Sequence, residues 1–224
     1  MRNLTSRLAA VILAMAAAAA TAPASAEWVA SWTASPHAPL GTQGPFAAAS
    51  YEDVTLTQIL RVSEGGERLR VQFSNRYGAS PLSIGAARVV RIDDSGMEIA
   101  GTGRVLTFGG DAGAVIPRGA PFTSDVVSLA VPSLSRLKVE IYLPKATGPC
   151  TCHLTGDDEL DVSPKGNFVG KSFTPVSKAQ FRAFLSAVEI DSPKALGTIV
   201  AFGDSITDGV GATAGANHRW PDIL

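Results

Sequence analysis

Two stretches of strict two-residue alternation restrict this chain to a fold whose strands bury one face. Leu69, Val71 and Phe73 alternate with Arg68, Arg70, Gln72 and Ser74, and Leu137, Val139, Ile141 and Leu143 with Lys138, Glu140 and Tyr142. A period of two puts apolar side chains on one side of a strand and polar ones on the other. Further strands are predicted over 54–62, 82–92, 105–108, 126–131 and 181–190. Turn residues separate them: Glu64-Gly65-Gly66, then 75–81, then Asp93 to Gly96, then 109–113. Many short strands at this spacing predict a mainly β domain, a sandwich or jelly roll, over residues 27–193. That region shows no internal repeat and no extended amphipathic helix.

The first 26 residues follow a different rule. Arg2 and Arg7 precede an apolar run of 13 residues, 8–20, followed by Ala24-Ser25-Ala26. A basic start, a short apolar centre and an Ala-x-Ala site predict a secretory signal peptide over 1–26. Thirteen residues are too few to span a bilayer, which takes about 20. No Cys follows the run and no twin-Arg pair precedes it, so export by the general route, to the periplasm or the medium, is expected. Cleavage would leave 198 of the 224 residues and move the formal charge from −1 to −3. A nearly neutral chain without a basic run does not fit nucleic acid, which requires clustered Lys and Arg. No later apolar stretch reaches membrane length, so integral membrane association is not expected either.

Cys150 and Cys152 are the only cysteines. Their spacing leaves three states open: two thiols, a local disulfide closing a very small ring, or part of a metal site with His153. The run Cys-Thr-Cys-His is one residue short of a haem attachment signal. A metal would need further ligands, and none is obvious nearby.

After Asp191-Ser192-Pro193-Lys194 the pattern changes. Residues 197–202 are a compact apolar run without polar alternation, which suits a strand buried on both faces of a parallel sheet. It leads into Gly203-Asp204-Ser205-Ile206-Thr207-Asp208-Gly209. A turn of this kind after a buried strand places a hydroxyl at the carboxyl end of a sheet, where open α/β sheets bind ligands. If a helix follows, its first N–H groups favour developing negative charge beside Ser205. Other readings fail on spacing. A calcium loop from Asp204 would meet Ile206 and Gly215 at ligand positions. A G-x-S-x-G elbow would need Gly where Thr207 stands, and a phosphate loop would need a Lys that is absent. A purely structural reading stays open, in which Asp204 and Ser205 cap a helix.

Residues 202–209 resemble the first sequence block of the SGNH hydrolases, or GDSL-type lipases and esterases, with Ile206 in place of the usual Leu. The continuation from Gly211 through Asn217-His218-Arg219-Trp220-Pro221 is similar to a secreted bacterial branch of that family. So are Trp28-Val29-Ala30-Ser31-Trp32-Thr33-Ala34-Ser35-Pro36 and Leu69-Arg70-Val71-Gln72-Phe73-Ser74-Asn75 with Gly78. The resemblance implies that residues 194–224 begin an α/β, flavodoxin-like three-layer hydrolase domain behind a β-sandwich accessory domain. It implies Ser205 as nucleophile, with its backbone N–H as an oxyanion donor. It makes Gly203, Asp204, Thr207, Asp208 and Gly209 the supporting turn, and requires no metal and no organic cofactor. The family's Asp-x-x-His pair is missing here, because Ala34, Cys150 and Gly215 stand three residues before His37, His153 and His218. The chain therefore reads as cut off just after the first catalytic block.

The remaining candidates have plain readings. Trp28, Trp32 and Trp220 could touch sugar rings, but aromatic side chains mostly pack. Asp157, Asp158, Glu159 and Asp161 read as solvated loop, and His37, His153 and His218 as loop or core residues. The expected activity is hydrolysis of a small-molecule or polysaccharide ester through an acyl-Ser intermediate, with this segment inactive alone. The alternative is a carbohydrate- or surface-binding β-sandwich with a vestigial catalytic segment. The substrate and oligomeric state are not legible. N-terminal sequencing of the exported protein should read Glu27-Trp28-Val29; a product still carrying Arg2 would refute the signal peptide.

Overall fold

A computed structural model describes residues 27–38, 40–41, 49–156, 158–193, 195 and 197–224. The expected signal peptide, 1–26, lies outside the described residues, as do Asp157 of the acidic run and Lys194 of the linker. The first half of the chain supplies β1 (Trp28–Thr33), β2 (Val54–Arg61), β3 (Gly66–Ser74), β4 (Leu82–Ile84), β5 (Ala86–Ile92), β6 (Arg104–Leu106) and β7 (Ala114–Ile116). The second half supplies β8 (Pro121–Thr123), β9 (Val127–Val131), β10 (Arg136–Leu143), β11 (Cys152–His153), β12 (Leu160–Lys165), β13 (Ser177–Ala179), β14 (Arg182–Ala183) and β15 (Leu185–Asp191).

The described strands pair antiparallel, as expected for a mainly β domain. One sheet runs β1-β15-β3-β8, with β9 also on β3, and a second runs β13-β12-β2-β10-β5-β6. Two-stranded ribbons, β11-β14 and β4-β7, flank them. The alternating residues of β3 and β10 bury their apolar members completely and meet in one core with Leu56 and Leu60 of β2 and Val188 and Ile190 of β15. Both large sheets thus contribute to a single core, as the layers of a sandwich do.

Two predicted strands are each broken in two. The stretch 82–92 divides at Gly85, where the chain passes from pairing with β7 to pairing with β10. A side chain there would come within 2.8 Å of the Tyr142 ring. The stretch 181–190 divides at buried Phe184, whose φ is 62°. This break lets β14 join β11 while β15 joins β3.

The break also creates the contact that ties the small ribbon to the large sheet. Gln58 is fully buried on the inner face of β2. Its amide donates to the Ala183 carbonyl at 2.9 Å and accepts from the Ala183 N–H at 3.0 Å. One side-chain amide therefore replaces a pair of ladder hydrogen bonds for an inward-facing backbone. Around it, the Phe184 N–H donates to Thr151 O and the His37 N–H to Cys152 O.

Residues 197–202 do not form the buried strand that their composition suggests. They have no strand pairing, and Ile199, Val200 and Phe202 are exposed, Phe202 to 98%. A strand buried on both faces needs a neighbour on each side, and no described strand pairs with this one. After it come two single-turn helices, α1 (Ser205–Asp208) and α2 (Trp220–Ile223). Among the described residues, no helix is long and apolar enough to cross a membrane.

Gln58→Leu keeps the volume but strands the Ala183 donor and acceptor in the core. Each buried orphan costs about 1–3 kcal/mol, so urea unfolding should show a loss of about 2–6 kcal/mol. The exposed change Val105→Ala should stay within about 0.5 kcal/mol. Equal effects would refute the role given to Gln58.

Candidate active site

The turn at Ser205 is shaped by its own sequence. Asp204 has an extended backbone and its carboxylate accepts from the Ile206 N–H at 3.0 Å, so it caps α1, while Ser205 is the first residue of the helix. Gly209 ends the helix at φ 100°, donating to Ser205 O and Ile206 O, and the Val210 N–H also reaches Ser205 O at 2.8 Å. A left-handed residue at this position favours glycine. The same glycine lets Arg219 lie across the turn, since a Cβ would fall 2.4 Å from its side-chain stem. Gly203 is needed for the same reason, because a Cβ there would sit 2.1 Å from Thr207 Oγ1. Thr207 Oγ1 in turn accepts from Trp220 Nε1 at 3.3 Å. Arg219 is fixed by a two-pronged pair with Asp222, at 2.8 and 2.9 Å. Ser205, the first residue of α1, is exposed.

The turn does not hang free of the β domain. Asp208, three residues after Ser205, accepts from His153 Nε2 on β11 at 2.7 Å. His153 Nδ1 meets the Ser35 carbonyl at 2.8 Å. Both partners can only accept, so both ring nitrogens must donate, and a ring with two N–H groups is the imidazolium. Burial pulls the His153 pKa down, but the hydrogen bonds to Asp208 and Ser35 O outweigh it, and the net shift is upward from 6.5. Burial pushes Asp208 up, and its contacts with His153, Thr155 and Arg219 bring it below 3.8. The two shifts agree in describing a charged pair.

A cleft of about 470 Å³ separates this segment from β1. Trp32, Ser35, His153, Phe202, Thr207 and Asp208 are among its walls, and Ser205 does not line it. Of the predicted turn, Gly203, Asp204, Thr207 and Asp208 line this cleft, and Asp208 touches the β domain through His153. His218 is exposed in the loop before α2. His153 has no free lone pair while it bridges Ser35 and Asp208, so in this arrangement neither it nor any Asp-x-x-His pair serves Ser205 as base.

The three readings of the cysteines reduce to one. Cys150 and Cys152 are joined as a disulfide with Cα atoms 5.4 Å apart, within the ordinary range, beside His153 on the same short segment. Among the described residues no three metal-ligating side chains come together. Trp28 stacks under Arg70 at 4.5 Å and Trp32 packs on the core beneath Arg182, so both carry packing roles. Nothing in the sequence around His153 marks it as a site residue, because its partner lies 55 residues away.

No family model matches the chain, and no curated protein does.

Asp204→Ala should remove the α1 cap, worth about 1 kcal/mol. Hydrogen exchange at the Ile206 amide should quicken about fivefold, while the urea midpoint of the β domain stays put. An unchanged Ile206 rate would refute the capping role.

Proposed function

We propose that this chain carries the nucleophile segment of an exported serine ester hydrolase of the SGNH type, attached to a β-sandwich accessory domain. The observation that supports this reading best is the exposed Ser205 hydroxyl on a single helical turn. Asp204 caps that turn and Gly209 closes it, and a side chain at Gly203 would run into Thr207. The chemistry would be attack of Ser205 Oγ on an ester carbonyl, loss of the alcohol, and hydrolysis of the acyl-Ser by water. Small-molecule and polysaccharide esters are the substrate class. Neither a metal nor an organic cofactor enters the reading.

An unassisted serine is a weak nucleophile and needs a base within about 2.6–3.2 Å. His153 is committed to Ser35 and Asp208, so the base in this reading comes from the family's Asp-x-x-His, which these 224 residues do not contain.

A second reading has its own support. On the β domain, a cleft of about 520 Å³ is bounded by Phe108, Phe122, Ser83, Asp111 and Lys145, and the two phenyl rings stack at 5.8 Å. Apolar walls with a few polar groups are the usual makings of a small-ligand site. This fits a carbohydrate-binding module.

On an activated acetyl ester, the 224-residue chain should show only background hydrolysis. A version continued through the downstream reading frame should turn over, and Ser205→Ala in that version should abolish turnover. Ser205-independent hydrolysis, or none in the continued protein, would overturn the hydrolase reading. Polysaccharide binding without any hydrolysis would favour the second.

A further inference from the structure

One histidine links the Ser205 segment to the β domain. His153 lies on β11, which is held by the Cys150–Cys152 disulfide, by pairing with β14, and by the His37 N–H on Cys152 O at 2.8 Å. Its ring is therefore presented by rigid backbone. Nδ1 faces the Ser35 carbonyl and Nε2 faces Asp208, with side-chain exposures of 18% for His153 and 28% for Asp208.

We propose that His153 is a positioning residue: as an imidazolium clamped between Ser35 O and the Asp208 carboxylate, it docks the Ser205 turn onto the β domain. The word positioning rests on reading Ser205 as the nucleophile; the docking itself does not. A neutral ring has one N–H and one lone pair, and the lone pair would then face either a carbonyl or a carboxylate oxygen. Loss of one proton therefore costs a hydrogen bond and adds a repulsion, and the clamp opens. The β domain thereby decides where the turn sits.

Arg182, the cross-strand neighbour of His153 on β14, opposes its protonation. The His37 ring lies 6.4 Å away on that side. Arg219 faces Asp208 from the α2 side and the Thr155 hydroxyl from the β11 side, and both favour its ionised form. Because the folded His153 pKa is raised, its contribution is complete below 6.5 and is lost as pH rises through the raised value. Because the Asp208 pKa is lowered, its contribution is complete above 3.8 and is lost as pH falls through the lowered value. Docking is therefore strongest between 3.8 and 6.5 and weakens on either side.

The test uses the 224-residue chain and two readouts. NMR of the imidazole nitrogens follows His153 protonation, and amide exchange at Ile206, Asp208, Gly209 and Val210, corrected for intrinsic pH dependence, follows docking. His153 should titrate above 6.5 with both nitrogens protonated below that point, and protection of the four amides should fall through the same midpoint. Asp208→Asn keeps an acceptor but removes its charge, so it should lower the His153 midpoint and quicken exchange about fivefold, as expected when a charge-assisted hydrogen bond becomes a neutral one. His153→Gln keeps a donor for Asp208, so it should retain part of the protection and lose its dependence on pH between 5 and 9, roughly the range of a perturbed imidazole. Asp208→Asn lies outside the β domain, so its result stands even if His153→Gln fails to fold. A His153 midpoint at or below 6.5, or amide protection indifferent to Asp208→Asn, would overturn the proposal. None of these readouts measures ester turnover, so failure of the hydrolase reading leaves them unaffected and is recognised separately.

Discussion

The side-chain amide of Gln58 holds the arrangement together at its most demanding point. A polar side chain with no exposure in the middle of β2 would be a liability unless both ends of its amide were satisfied. Ala183 satisfies them, donating and accepting at once. That contact seats β14 against the large sheet, β14 seats β11, and β11 carries His153. The chain of contacts from the core to the Ser205 turn therefore consists of hydrogen bonds between well-fixed groups, with the Cys150–Cys152 disulfide bracing the segment between them.

At the far end of that chain, two opposed effects meet on one ring. Burial favours a neutral His153, and the nearby Arg182 guanidinium works in the same direction. Two acceptors in line with the two ring nitrogens work against them. The acceptors prevail because one is a carboxylate, and hydrogen bonds to charged groups are about twice as strong as neutral ones. Arg182 is itself drawn over the Trp32 ring, at 5.8 Å, which gives its charge another interaction. The same balance explains why His153 is unsuited to act as the base for Ser205.

The Ser205 turn is rigid for local reasons and placed for distant ones. Asp204, Gly203 and Gly209 settle its internal geometry, since a cap, a close approach and a left-handed residue leave little freedom. None of these says where the turn will lie against the β domain. That is set by Asp208 meeting His153 of β11, while Thr207 meeting Trp220 joins the turn to α2. The exposed Ile199, Val200 and Phe202 show the limit of local preference: without neighbouring strands, an apolar run has nothing to pair with.

The sequence by itself determined the mainly β character, because a strict period of two in β3 and β10 can bury only one face. It also determined the shape of the Ser205 turn, because Asp at a cap and Gly at a left-handed position act over four or five residues. It did not reveal the short edge strands such as β8 or β13, whose few residues carry too little pattern. Nor did it show the breaks at Gly85 and Phe184, which exist because each half pairs with a different partner. Tertiary structure alone decided the cysteine pairing and the partnership of His153 with Asp208. Those residues lie 55 positions apart, and neither has a local signal that names the other. Their charge states follow from burial and from facing acceptors, and both are properties of the folded arrangement.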